Sequence, residues 1–158
     1  MTAASARGFT LLEMMVVLTV MSLLALATVP VAELIAQRAK ERELRSSLVE
    51  IRSAIDAYKQ AYDDGRIEHV SNATGYPPTL QTLVDGVPGV NAAAGQHLFF
   101  LRRMPRDPLA DGSTPPASNW GLRSYASSAD RPTPGADVYD VYSLQTGVGL
   151  DGVAYRQW

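Results

Sequence analysis

From Met14 to Ala32 the chain carries no formal charge, and Phe9 to Leu12 extend this apolar run towards the N-terminus. No other feature limits the fold so strongly. A helix crosses the hydrocarbon layer with about 20 apolar residues, and in lipid only a helix or a closed barrel satisfies its own backbone. The run therefore predicts a membrane helix. Its valines and leucines each favour insertion by roughly 0.3–0.6 kcal/mol, whereas a carboxylate at membrane depth costs roughly 2.5–3.5 kcal/mol. Glu13 sits inside the apolar block and opposes much of that gain. An ionisable residue in a membrane segment points to function, and it requires a partner.

The segment also admits two plainer readings. Ala25-Leu26-Ala27 has the small-residue character of a secretory cleavage site, but the basic region is Arg7 alone and the helical pattern runs on past the cut. A simple single-span anchor leaves Glu13 incidental. The hexapeptide Gly8-Phe9-Thr10-Leu11-Leu12-Glu13, behind a short leader, resembles the prepilin signature of type IV pilins and type II secretion pseudopilins. The resemblance implies cleavage by a prepilin peptidase between Gly8 and Phe9, with methylation of the new Phe9 amino group. It also supplies the missing partner, because the Phe9 amine of one subunit would neutralise Glu13 of the next. Pro30 falls where many such proteins bend their helix; its ring and missing N–H predict a kink.

Beyond Ala32 the pattern becomes amphipathic. Leu44, Leu48, Ile51, Ile55, Tyr58 and Tyr62 form one apolar stripe at alternating four- and three-residue spacing. Lys40, Glu41, Arg42, Glu43, Arg45, Glu50, Arg52, Asp56 and Lys59 occupy the other faces, with Glu41 and Arg45 placed to pair along the helix. The stripe reads as a core face, since its heptad is too brief for a coiled coil. One helix is expected from Phe9 to about Asp63, roughly 80 Å long at 1.5 Å per residue.

A loop-rich stretch follows Gly65. Tyr76-Pro77-Pro78 predicts a turn, and Thr79 to Val84 a short helix capped by Thr79 and stopped at Asp85-Gly86. Val87 to Gln96 reads as loop, Leu98 to Leu101 as an apolar run, and Asp111 to Asn119 as exposed loop. Gly121–Ser127 and Asp137–Leu144 read as strands, with a third, short one around Val153–Tyr155. Tyr76-Pro77, Leu101, Met104-Pro105-Arg106-Asp107-Pro108, Trp120-Gly121, Tyr125 and Tyr139 to Leu144 resemble the G-type, or major, pseudopilin family over nearly the whole chain from Gly8. The chain departs from that pattern in the insert Ala110–Asn119 and in an ending, Gln145–Trp158, poor in acids.

The expected fold is α+β: a long kinked N-terminal helix, membrane half and amphipathic half, packed on a small C-terminal antiparallel sheet through a loop-rich connection. The expected divisions are a leader (1–8), a transmembrane or filament-core helix (9–32) and a periplasmic pilin-like domain (33–158). That domain comprises the amphipathic helix (33–64), a variable loop region (65–119) and the sheet (120–158).

Composition removes several alternatives. The net charge of −2 and the lack of a basic run argue against nucleic acid, and Arg102, Arg103 and Arg106 read as a solvated turn. The chain has no cysteine, which excludes disulfides and thiolate metal sites. In the family that the chain resembles, the loop after the Tyr-Ser-Leu strand commonly holds calcium. Here that loop offers Asp151 and the Leu144 carbonyl, with Asp137 and Asp140 as the neighbouring candidates, against the six to eight oxygens that calcium takes. Binding is expected to be weak or absent, with an Asp-Gly turn as the alternative reading of Asp151-Gly152. Gly147-Val148-Gly149-Leu150-Asp151-Gly152 matches a dinucleotide fingerprint in letters only, because too little sequence follows it for the required helix. His69 and His97 read as surface residues and Asn72-Ala73-Thr74 as plain loop. No nucleophile, base and oxyanion donor assemble, so no enzyme is expected.

The resemblance thus implies a structural subunit of a periplasmic pseudopilus, stored in the bacterial inner membrane as a single-pass protein. Its implied partners are further copies of itself, minor pseudopilins, the prepilin peptidase, the inner-membrane assembly platform and, before assembly, lipid. A type IV pilin or minor pilin-like subunit of a fibre or DNA-uptake machine shares the N-terminus. A periplasmic binding domain on a simple anchor is the alternative of another class.

Overall fold

The computed structural model describes residues 8–69, 73–90 and 96–158, with the backbone alone at 27–29. The leader up to Arg7, Asn72 of the Asn-Ala-Thr triplet and residues 91–95 of the Val87–Gln96 loop lie outside these described residues. The chain divides into two compact units, one up to Ala39 and one from Lys40 to Trp158.

Helix α1 is assigned over Leu11–Asp63 and includes Pro30. In the first unit its large apolar side chains are exposed, among them Leu11, Leu18, Leu23 and Leu26. By length and composition this is the one described helix apolar enough to cross a membrane. Two of the three hydroxyl residues in its apolar run bond back to the helix: Thr19 Oγ1 donates to the Met15 carbonyl and Ser22 Oγ to that of Leu18, both at 2.7 Å.

In the second unit the same helix turns a stripe inward. Leu44, Leu48, Ile51, Ile55 and Tyr58 are buried as their spacing predicts, joined by Ala54 and Ala61, while Tyr62 is half-buried. Ile67, Leu80, Leu83, Leu101, Trp120, Val138, Val141 and Tyr155 complete the core. Burying such a side chain contributes about 1.5–3 kcal/mol, which makes this stripe the main apolar support of the unit.

Helix α2 spans Leu80–Asp85; the Thr79 side chain accepts from the Thr82 N–H, and Gly86, with φ 74°, ends it. The Leu83 carbonyl accepts from the Phe100 and Leu101 amides, fixing the apolar run there. Two antiparallel ribbons follow: β1 (Val87–Pro88) with β2 (His97–Leu98), and β3 (Trp120–Arg123) with β4 (Asp140–Ser143). The first ribbon corrects the reading of Val87 onwards as loop. Two residues per strand are too short to leave a periodic signal.

The second ribbon is the expected sheet, with shorter strands. After Arg123 the backbone leaves the ladder, because the Ser124 amide donates to Thr133 and a turn closes from Ser124 to Ser127. Before Asp140, Val138 donates to the Pro77 carbonyl at 2.8 Å, tying this segment to the Tyr-Pro-Pro turn. The third strand around Val153–Tyr155 does not form. A single bridge joins Val148 and Ala154, and Tyr155–Gln157 tightens into a 3-10 turn that brings Trp158 edge-on against Tyr155. The stretch Asp111–Asn119, expected to be exposed loop, ends in a 3-10 turn (Pro116–Asn119) with Asn119 buried.

Candidate functional site

At the head of α1, Thr10 Oγ1 accepts from the Glu13 amide at 3.2 Å, and the Thr10 carbonyl accepts from the Met14 amide. Thr10 is therefore the helix cap, and Thr10-Leu11-Leu12-Glu13 has the Thr-x-x-Glu spacing of a capping box. That spacing is a local signal visible in the sequence. It places Glu13 in the first turn, where backbone N–H groups face outward and favour a negative charge. Gly8, Phe9 and Glu13 are all exposed, Phe9 by 74%. Pro30 lies within α1, where its ring nitrogen leaves the helix one backbone bond short.

In the second unit, three aspartates position the loops. Asp107 is fully buried; its Oδ1 accepts from the Leu109 amide at 2.8 Å and its Oδ2 from Ser143 Oγ at 2.6 Å. Asp137 accepts from Ser124 Oγ at 2.8 Å, from the Tyr125 amide at 2.9 Å and from Thr74 Oγ1. Burial pushes its pKa upward, but the bonds from Thr74, Tyr125 and Ser124 outweigh this and hold it below the ordinary carboxylate value. Asp140 bridges Arg52 Nε at 2.8 Å and Arg123 Nη2 at 3.0 Å.

Two charged residues outside the apolar stripe of α1 make long-range contacts. Glu41 is 7% exposed, and Arg52 reaches Asp140, the Val141 carbonyl and the Trp158 carbonyl. The Glu41–Arg45 pairing gives way to longer-range contacts. Glu41 Oε1 accepts from the Leu150 amide and the Tyr155 hydroxyl, and Arg45 pairs with Asp151. No sequence spacing announces partners more than 100 positions away.

The carboxylates nearest the expected calcium loop do not converge. Asp151 is ion-paired, Asp137 is held by its three donors, and Asp140 lies between two guanidinium groups that repel a cation. Leu144 is exposed. Among the described residues, no three His, Asp or Glu side chains gather around a point. The donor set does not fit calcium, which needs several free oxygens at one place.

The glycine-rich stretch is likewise committed to internal bonds: the Gly149 amide donates to Val153, that of Gly152 to Gly149 and that of Leu150 to Glu41. Its amides form no phosphate cradle. His69 stacks on Tyr62 at 4.2 Å and bonds its carbonyl, while His97 meets the edge of Phe99. Arg102, Arg103 and Arg106 are exposed.

A capped apolar helix with a lone acid in its first turn, leading into a small α+β unit, defines a pilin-like protein. A family profile described as the prokaryotic N-terminal methylation motif matches residues 4–29. The type II secretion system core protein G of Klebsiella michiganensis is 37% identical over 109 residues, covering 66% of this chain and 68% of that protein. The protein of the same name from Klebsiella pneumoniae is 34% identical, over 65% of this chain and 68% of its own length. That of Pectobacterium carotovorum is 35% identical, over 65% and 61%. No solved structure matches the chain. The chain belongs to the core protein G family, the major pseudopilins of type II secretion.

Proposed function

We propose that the chain is the structural subunit of a periplasmic pseudopilus in type II secretion, not an enzyme. Residues 1–8 are a leader, 9–32 span the inner membrane and later line the filament core, and 33–158 form the periplasmic domain. A prepilin peptidase cuts after Gly8 and methylates Phe9. The subunit then passes from lipid into a homopolymer with minor pseudopilins, on an inner-membrane platform.

The observation that carries this reading is the head of α1. Glu13 is exposed in an otherwise apolar first turn, a position unfavourable in lipid unless a cation meets it. The Phe9 amine freed by cleavage supplies that cation on the neighbouring subunit. Glu13→Ala is expected to leave membrane insertion intact and to block filament assembly. Mass spectrometry of the native protein is expected to find methylated Phe9 at its N-terminus. Normal filaments from the alanine variant, or a mature chain that begins at Met1 or Thr2, would overturn the proposal.

A further inference from the structure

We propose that Glu41 and Arg45, one turn apart on α1, clamp the segment Gly147–Trp158 onto the helix, and that no divalent cation takes part in closing it. This role stands independently of the filament.

Both helix residues act on the same segment through different chemistry. One oxygen of the Glu41 carboxylate accepts from the Leu150 amide at 3.0 Å and from the Tyr155 hydroxyl at 2.9 Å. It thereby fixes two points of the segment on either side of the turn at Gly152 (φ 81°). The Arg45 guanidinium pairs with Asp151 between those points and lies 4.2 Å over the Trp158 ring. A buried carboxylate that receives two donors is a strong anchor, and a guanidinium stacked on an indole adds a cation–π contact.

The segment's own bonds complete the closure. The Gly149 amide donates to the Val153 carbonyl at 2.8 Å, the Val153 amide to Asp151 Oδ1 at 3.0 Å, and the Tyr155 amide to the Gly147 carbonyl at 3.2 Å. A metal would have to displace Arg45 from Asp151 and sit beside its positive charge. Loop closure that a cation would provide through several acids is here provided by Glu41 and Arg45 on the helix, with Arg52 holding the Trp158 carbonyl at 2.6 Å.

The test is hydrogen exchange, read by mass spectrometry on the full chain in detergent micelles, with millimolar calcium or with a chelator. The unaltered chain is expected to exchange identically in both. Glu41→Ala and Arg45→Ala are each expected to speed exchange across 147–158 about tenfold or more, leaving β3 and β4 protected. If either alanine variant unfolds throughout, Glu41→Gln and Arg45→Lys decide, and each is expected to loosen the segment while the sheet stays intact. Slower exchange in calcium than in chelator would overturn the proposal. So would folded variants whose segment exchanges at the unaltered rate.

Discussion

Ser143→Ala offers a quantitative test of how the sheet is tied to its loop. Ser143, on β4, is fully buried and donates to Asp107 Oδ2 at 2.6 Å, while its oxygen accepts from the Gln145 amide at 3.1 Å. The opposite residue in the register is Trp120, whose indole N–H donates to the Pro105 carbonyl at 3.0 Å. Two cross-strand neighbours therefore hold the same Met104–Leu109 segment. Removing the hydroxyl takes one donor from a buried aspartate that, among the described residues, keeps the Leu109 amide. A hydrogen bond to a charged group contributes about 1.5–3 kcal/mol, and leaving a buried partner unpaired sets the cost towards the upper half of that range. A loss of about 2–3 kcal/mol lowers the melting temperature of a unit this size by about 6–15 °C. Asp107→Asn keeps the shape and can donate its amide to Ser143, so it should cost about 1 kcal/mol. The assay is reversible thermal unfolding of the full chain in micelles, followed by the near-UV signal of its tryptophans. Alanine at the exposed Ser118 serves as the control. A Ser143→Ala loss below about 0.5 kcal/mol, or equal to the control, would refute the argument, since surface changes fall within that range.

Two further perturbations test other parts of the unit. A Cβ on Gly121 would lie 2.3 Å from the Tyr142 ring, so Gly121→Ala should destabilise by about 1–3 kcal/mol in the same melt. Asp137 has a lowered pKa in the folded chain, so its contribution is complete above the unfolded carboxylate value of about 3.9 and is lost as pH falls through the folded value. Asp137→Asn should therefore flatten the acid limb of a stability–pH profile; an unchanged limb would exclude this residue as its source.

Legibility in the sequence followed the range of the forces involved. The apolar run, the buried stripe of α1 and the Thr79-capped α2 depend on neighbours within a few residues, so composition, periodicity and capping residues place them. The β3–β4 ribbon is legible in position but not in length, because Thr133, in the loop between the strands, and Pro77, 61 positions before Val138, bond the backbone beyond the strand ends. The roles of Glu41, Arg52 and Asp107 were invisible for the same reason: a charged residue on a helix or in a Pro-rich loop looks solvated until its partner folds over it. At the head of α1, the capping role of Thr10 is legible in the Thr-x-x-Glu spacing.

Thr19 and Ser22 carry a consequence for the apolar run they interrupt. With both hydroxyls turned onto carbonyls of the preceding turn, these two polar groups are satisfied within the run itself. Such a surface is indifferent to whether acyl chains or aliphatic side chains touch it at these positions. Exchanging one for the other there requires no bond inside the helix to be broken or remade.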